Sequence, residues 1–237
     1  MTAIPAWVES VAKNGRAPAE NEDRAGAGRY RFAVADGATD SARAEVWADI
    51  LVEAFIRTPV TDIFDPIVLA RLREQWWTEV DRPGLPWHAT RKLREQPGAA
   101  AFVGIEVDPT RESFAVTAVG DSCALHIRQG ELLAVGPVEN SRQFGSYQPC
   151  LVKALADAEL FRDLLWHNEF SYQPGDVVVL ASDALAKYLL RCHEADGRLE
   201  LDGWADESAP PFTDWVARAR AHDGLDNDDT TVCVVML

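Results

Sequence analysis

Four short acidic motifs, each placed where a strand is predicted to end, constrain this chain more than any other feature. They are residues 21–24 (NEDR), 34–37 (VADG), 181–183 (ASD) and 228–231 (DDTT). Carboxylate oxygens gathered at the ends of strands are the ligands that hard divalent cations prefer. The motifs therefore predict an oxygen-only cation site and a metal-dependent chemistry on phosphate.

Apolar runs bounded by turn residues predict the strands. They are expected at residues 29–35, 99–107, 113–119, 123–128, 131–135, 177–181 and 230–237. Residues 129–130 (QG) form the turn of a hairpin between two of these strands.

Apolar residues at helical spacing predict helices between the strand clusters. They are expected at residues 42–57, 66–80, 185–192 and 212–221, with a turn or two at 88–95 and short helices within 151–166. Ser41 is the predicted N-cap of the first helix, with Glu45 completing a capping box. Residues 136–147 are predicted as a surface loop. Because clusters of strands alternate with clusters of helices, we expect antiparallel sheets with helices on their outer faces, in one domain over residues 1–237.

Charge and composition exclude several classes of protein. The net charge is -15, with 38 acidic against 23 basic side chains, which disfavours binding to a nucleic-acid backbone. No run approaches the roughly 18 apolar residues that a membrane span requires. The four cysteines, Cys123, Cys150, Cys192 and Cys233, lack the spacing of a metal site, and no signal peptide is visible at the N-terminus. We therefore expect a reduced, cytoplasmic protein that contacts neither membrane nor nucleic acid.

Taken together, the motifs resemble those of the metal-dependent protein phosphatases (the PPM, or type 2C, family), in a compact form like a bacterial stand-alone domain. The resemblance extends from residue 21 to residue 237 in the family's order. The matching segments are 21–24 (NEDR), 32–37 (FAVADG), 118–122 (AVGDS), 175–183 (GDVVVLASD) and 228–232 (DDTTV). Each segment alone is weak evidence, whereas five in order at suitable distances are strong.

The resemblance implies an α+β fold of four layers, α-β-β-α, with two antiparallel sheets flanked by helices. It also implies hydrolysis of phosphoserine and phosphothreonine in phosphorylated protein substrates, with two Mn²⁺ or Mg²⁺ ions. Two cations roughly 3.5–4 Å apart clamp the phosphoryl oxygens and acidify a bridging water, which makes water the nucleophile.

The resemblance also implies roles for individual residues. Asp36 would bridge both ions, and the Gly37 carbonyl would bind one of them. Glu22 would bind that same ion, directly or through water. Asp183 and Asp228 would hold the other ion.

Two further roles concern water and substrate. Asp23 matches a position that orders metal-bound water, and it is grouped with Asp36 as catalytic. The arginine that usually grips the phosphate is replaced by Pro18, so the nearby Arg16 is the candidate substrate contact. Asp121 is interpreted as ordering a tight turn.

The chain departs from the family pattern in other places. Residues 38–41 (ATDS) replace a glycine-rich segment, and Asp40 there adds a charge beside the site. Ala184 replaces a glycine, which is tolerable unless that residue needs a positive φ. Asp229 replaces the asparagine of the last motif, and Glu139 is the only candidate for a third-metal acid after the central hairpin.

Two other functions compete with this interpretation. A catalytically weak or inactive module that binds or regulates a partner is motivated by the altered loop, the displaced arginine and Ala184. An aspartyl-nucleophile phosphatase is rejected, because that chemistry needs a nucleophilic aspartate two residues before Asp36, where Val34 stands.

Overall fold

The structure is a computed structural model, and it describes residues 3–57, 62–145, 151–155, 160–201 and 211–237. In chain order its strands are β1 (Ala6–Val11), β2 (Arg24–Ala27), β3 (Arg31–Gly37), β4 (Ala99–Asp108), β5 (Ser113–Val119), β6 (Cys123–Arg128), β7 (Glu131–Gly136), β8 (Val152–Lys153), β9 (Trp166–Ser171), β10 (Val177–Ala181) and β11 (Thr230–Met236).

Two antiparallel sheets form the centre of the molecule. The first sheet has the order β1-β11-β10-β6-β7, and the second has the order β2-β3-β4-β5-β9, with β8 paired to β4. Each sheet pairs strands from distant parts of the chain, for example β1 with β11. The ends of β10 and β11 in one sheet and of β3 in the other can therefore lie in one region.

The helices are α1 (Ala44–Arg57), α2 (Pro66–Val80), α3 (Trp87–Glu95), α4 (Asp183–Asp196) and α5 (Phe212–Arg218). Short 3₁₀ segments occur at Pro18–Glu20, Gln143–Gly145 and Leu160–Leu164, and one turn of π-helix occurs at Ala219–Asp223. Asp65 caps α2 by accepting from the backbone N–H groups of Ile67 and Val68, and Gly197 closes α4 in the left-handed conformation. No helix in the described ranges is long and apolar enough to cross a membrane.

Three apolar clusters hold the layers together. One lies between the second sheet and α1 to α3, around Trp47, Trp76 and Phe102. A second lies between the first sheet and α4 and α5, around Leu185 and Trp215. The third lies between the two sheets and is formed by Phe32, Val34, Val103, Ile105, Phe114, Val178, Leu180 and Cys233. These clusters confirm the predicted α-β-β-α sandwich.

The predictions for the central strands and the helices agree with the structure to within a few residues. Strands β1, β2, β8 and β9 were not predicted. One 3₁₀ segment, Leu160–Leu164, agrees with the short helices expected in 151–166, and β8 lies in the same range. Residues 146–147 of the predicted loop and Cys150 lie outside the described residues.

The start of α1 also differs from its prediction. The helix begins at Ala44, and the Ser41 hydroxyl donates to the Ala38 carbonyl and accepts from the Ala99 N–H, at 2.8 and 3.0 Å. Ser41 therefore joins the loop after β3 to the start of β4, and does not act as an N-cap.

Candidate metal centre

A cleft of about 170 Å³ lies where the ends of β3, β6, β10 and β11 meet. It is lined by Asp36, Gly37, Ala38, Thr39, Ala101, Asp121, Leu151, Asp183, Asp228 and Asp229. The predicted ligands Asp36, Gly37, Asp183 and Asp228 thus share one concave site, although 192 residues of sequence separate the first from the last. Asp40 is exposed and does not line this cleft.

Strand register explains why these acids meet. Arg24 pairs with Ala35 between β2 and β3, so one residue further along Asp23 comes opposite Asp36. Ala181 pairs with Cys123 between β10 and β6. Continuing that pairing brings Asp183 opposite Asp121. Asp23 and Asp36 come from consecutive motifs 13 residues apart, whereas Asp121 and Asp183 are 62 residues apart in the sequence.

The pairing has a clear electrostatic consequence for Asp36 and Asp23. Burial, followed by the charges of Asp23, Asp183 and other neighbouring carboxylates, raises the pKa of Asp36 well above its usual value. Burial also raises the pKa of Asp23 to about 7, although the nearby hydroxyls of Thr231 and Ser182 oppose the rise. Neighbouring carboxylates in a buried site are stable as anions only when a cation compensates them.

Asp183 and Asp121 repeat this pattern on the other side of the cleft. Burial and the charge of Asp228 raise the pKa of Asp183, against a hydrogen bond from the Ala184 N–H. Burial and the charge of Asp183 raise the pKa of Asp121 to about 7. Asp121 therefore belongs to the acidic cluster, which extends its predicted role of ordering a turn. Gly120, directly before it, has a φ of +93° and makes that turn.

A buried polar network supports the floor of the cleft. The Ser10 hydroxyl lies 2.5 Å from the Thr231 hydroxyl, and Asn21 Nδ2 donates to Ser10 at 2.7 Å. Asn21 Oδ1 accepts from the Asp23 N–H at 2.8 Å. The Thr231 N–H donates to the Ser182 hydroxyl at 3.0 Å. These bonds tie β1, β11 and the start of α4 to the segment that carries Asp23.

Glu22 lies at the edge of the site, where its backbone is bound by Asp229. Asp229 Oδ2 accepts from the Glu22 N–H at 2.7 Å, which orders the backbone of this segment. Burial raises the pKa of Glu22, opposed by a hydrogen bond from Thr39 and by the charge of Lys13. Gly37 lies directly beneath, where a Cβ atom would be 2.6 Å from the Glu22 carbonyl oxygen. Only glycine allows β3 to pass this close to the Glu22 segment.

Lys13 also lies beside these acids, and sequence reasoning missed it. Its ammonium Nζ lies 3.0 Å from Thr39 Oγ1, 3.3 Å from Asp228 Oδ1 and 3.8 Å from Glu22 Oε2. Burial alone would lower the pKa of Lys13, but the charge and hydrogen bond of Asp228 with further nearby carboxylates raise it above its usual value. A usable signal exists in the strand pairing, because Val11 pairs with Thr230 and Lys13 therefore comes opposite Asp228. That signal required β1, which was not predicted.

Arg16 lies beside the cleft and does not line it. It belongs to a neighbouring basin of about 390 Å³, which it shares with Thr39, Arg43 and Lys92, and its Nη1 donates to Glu20 at 2.9 Å. Glu139, the candidate third-metal acid, is exposed and does not line the cleft. Ala184 lies in α4 and has no positive φ, so its substitution for glycine causes no strain.

The chemistry of the cleft fits divalent cations. Asp23 Oδ2 is a buried carboxylate oxygen without a hydrogen-bond partner among the described residues. The donors around it are carboxylate and carbonyl oxygens, which suit Mg²⁺ and Mn²⁺. No three His, Cys, Asp or Glu side chains within the described ranges are arranged as a ready-made metal-binding group. The fit therefore rests on donor type and uncompensated charge.

Comparison with known proteins agrees with this arrangement at the level of the fold. No protein-family model matches the sequence, and no curated protein matches it either. Among solved structures, it is similar to the catalytic domain of the serine/threonine protein phosphatase PstP in complex with two manganese ions. The TM-score is 0.60 at 18% identity, covering 100% of this chain and 99% of that one.

Two other solved structures give the same result. The PPM Ser-Thr phosphatase MsPP from Mycobacterium smegmatis, in complex with cacodylate, has a TM-score of 0.57 at 18% identity, with 100% of each chain covered. PppA of Pseudomonas aeruginosa, described as a key regulatory component of T6SS, has a TM-score of 0.58 at 18% identity, covering 99% of this chain and 98% of that one. Together with the two helix-flanked antiparallel sheets, these similarities show that the chain has the fold of the PPM-type serine/threonine phosphatases.

Proposed function

We propose that this chain is a phosphatase that uses two Mn²⁺ or Mg²⁺ ions to hydrolyse phosphoserine and phosphothreonine in protein substrates. The observation that carries the proposal is the convergence of Asp36, Asp121, Asp183 and Asp228 on one cleft, where burial and neighbouring carboxylates raise the pKa values of Asp36, Asp121 and Asp183. A protein that keeps four acids together without a cation would lose stability from their mutual repulsion.

Each predicted ligand has a place in the proposed centre. Asp36, the Gly37 carbonyl and Glu22 would hold one ion, and Asp183 and Asp228 would join Asp36 in holding the other. When bound, such ions neutralise phosphoryl oxygens and lower the pKa of water towards about 7.

The remaining roles belong to protein groups that orient water and substrate. Asp23 is 3% exposed, and its Oδ2 has no partner among the described residues, so it can hold a water or accept its proton. Arg16 would turn from Glu20 towards the phosphoryl group of a substrate lying across the cleft and the neighbouring basin.

Hydrolysis assays test the proposal directly. We expect Mn²⁺-dependent turnover of p-nitrophenyl phosphate and of a phosphothreonine peptide, and its loss in Asp36→Asn by a factor of about 10³ or more, because the bridging ligand supplies much of the electrostatic stabilisation. Asp214→Asn, which changes an exposed acid of α5 outside the cleft, serves as the matched control. Turnover no higher in the wild type than in Asp36→Asn would reject the enzyme.

A second candidate function is a catalytically weak or inactive module that binds a partner. The observation that favours it is the Lys13 ammonium among the carboxylates, together with Arg16 already paired to Glu20. The same assay separates the two functions, since this candidate predicts a folded protein without metal-dependent turnover.

A further inference from the structure

Lys13, which follows β1, places a positive charge beside the acids of the cleft. Its Nζ lies within 3.3 Å of Asp228 Oδ1 and 3.8 Å of Glu22 Oε2, and its side chain is 17% exposed. By contrast, Lys187 and Asp226 form a surface pair at 2.7 Å in which both side chains are about one-third or more exposed. Asp228 is itself half exposed, so the contact with Glu22, whose side chain is 21% exposed, is the one that is withdrawn from water and screened less than this surface pair.

The backbone around Lys13 keeps its side chain beside these acids. The Lys13 N–H donates to Asp229 Oδ1 at 2.8 Å, while the other oxygen of Asp229 holds the Glu22 N–H. Arg220 Nη1 donates to the Ala12 carbonyl at 3.0 Å, and its Nη2 donates to the Asp228 carbonyl at 2.6 Å. The Asp229 carboxylate thus joins Lys13 to the Glu22 segment, and the Arg220 guanidinium joins Ala12 to Asp228.

The two acids that Lys13 contacts belong to different halves of the proposed centre. Glu22 would serve the ion held by Gly37, and Asp228 would serve the ion held by Asp183. The Lys13 ammonium contacts one carboxylate oxygen of each acid, and these oxygens are potential ligands of the two ions. A fixed positive charge also repels a dication at the same place, whichever metal it is.

We propose that Lys13 is a built-in counter-cation of this site, which competes with divalent ions for Glu22 and Asp228 and thereby sets how tightly they bind. The proposal rests on the proposed function, because it assumes that these acids bind metal. It assigns Lys13 a positioning role: its charge balances the carboxylates and weakens the metal site relative to a site of acids alone. The Thr39 hydroxyl, 3.0 Å from Nζ, holds the ammonium in this position.

Calorimetric titration of the purified full chain with Mn²⁺, and separately with Mg²⁺, tests the role. Lys13→Met and the polar variant Lys13→Gln are expected to bind the ions at least tenfold more tightly than the wild type, whereas Lys13→Arg retains the weak binding. Lys92→Met removes an equal charge from the neighbouring basin and is expected to change affinity by less than twofold. Because the effect is one of charge, Mn²⁺ and Mg²⁺ affinities should rise by similar factors.

A second readout separates this role from a merely structural one. In chelator, Lys13→Met should have a lower thermal midpoint than the wild type, because its carboxylates lose their counter-charge. In saturating Mn²⁺ the order should reverse or the difference should vanish. Circular dichroism establishes that each variant is folded, and Lys13→Gln gives the same comparison if Lys13→Met is not.

The outcomes distinguish two kinds of failure. Equal Mn²⁺ affinity in the wild type, Lys13→Met and Lys13→Gln overturns the role of Lys13 and leaves the proposed phosphatase intact. Absence of Mn²⁺ and Mg²⁺ binding in every variant overturns both. Tighter binding in Lys13→Met and Lys13→Gln, with weak binding in Lys13→Arg, supports the counter-cation.

Discussion

At the scale of single residues, the site depends on close approaches that side-chain chemistry alone would not suggest. Gly37 is the clearest case, because the backbone there leaves no room for a Cβ atom. An added Cβ would meet the Glu22 carbonyl oxygen at 2.6 Å and Ala44 Cβ at 2.9 Å. The backbone oxygen cannot move aside in the way that a flexible side chain can.

Gly37→Ala should therefore displace the Glu22 segment. We expect a loss of about 1–3 kcal/mol in the free energy of unfolding, typical of forced overpacking, together with weaker Mn²⁺ binding. Urea unfolding and metal titration measure the two effects. Unchanged values for both would show that the Glu22 segment adapts freely.

Arg16 makes a second prediction at this scale. Arg16→Ala should raise the KM for a phosphopeptide several-fold with little change in kcat, as expected for a group that binds substrate and transition state alike. Glu20→Gln should have the opposite effect, since it releases Arg16 from its partner at 2.9 Å. Arg111→Ala is the matched control, because Arg111 also pairs with a nearby acid, Asp108, but at the far end of β4. A KM unchanged in Arg16→Ala would remove Arg16 from the substrate site.

At the scale of elements, a second polar cluster stabilises the first sheet at the end that lies far from the cleft. Asp176, before β10, accepts from His126 Nε2 at 2.8 Å and from Nε and Nη2 of Arg128, both at 2.7 Å. It also accepts from the Gln173 N–H at 2.9 Å. The side chain is 1% exposed, and these bonds join the end of β6 to the turn before β10.

Removing the Asp176 charge should destabilise the fold. Asp176→Asn is expected to lower the free energy of unfolding by about 1–3 kcal/mol at neutral pH, since it leaves the buried His126 and the partly exposed Arg128 without their anion. Asp226→Asn, which breaks the surface pair with Lys187, should cost about 0–1 kcal/mol. Urea unfolding of both variants measures the difference, and equal costs would contradict a special role for Asp176.

The pH dependence of stability follows from the same group. The bonds from Arg128, opposed by burial and joined by those from Gln173 and His126, hold the pKa of Asp176 well below its usual value. A depressed pKa stabilises the folded state above the unfolded pKa of about 3.9 and loses that contribution as the pH falls below it. The wild type should therefore lose more stability than Asp176→Asn when the pH is lowered from about 5 to about 3.

At the scale of the whole molecule, metal binding should couple to stability. Saturation of one site to about 100 times its dissociation constant adds about 2.7 kcal/mol, which corresponds to a rise in Tm of about 5–10 °C for a chain of this length. Differential scanning calorimetry with Mn²⁺ and with chelator measures the shift. The absence of any shift would contradict a metal centre, and Asp36→Asn should show a much smaller one. The assignment of residues 1–237 to a single domain remains a prediction, which a single cooperative transition in the same experiment would support.

The central strands and most helices could be predicted because each carries its own periodic pattern. Residues 66–80, 113–119, 123–128 and 177–181 were predicted with the bounds that the structure shows. The strands that escaped prediction are three of the four sheet edges, β1, β2 and β9, and the two-residue β8, whereas the fourth edge, β7, was predicted. No residue of β1, β2 or β9 is fully buried, so these strands carry little of the apolar alternation that predicts a strand.

The sequence by itself determined which acids are present, their order, and the resemblance that predicted a four-layer fold around them. Only the tertiary structure decided which acids face each other, because strand register pairs residues from distant motifs. It also decided that Lys13 lies among them and that Arg16 lies beside them, since both positions depend on how β1 and the turn after it pack against β11. Sequence patterns depend on residues that are close along the chain, whereas the electrostatic environment of a charged group depends on the residues that are close in space.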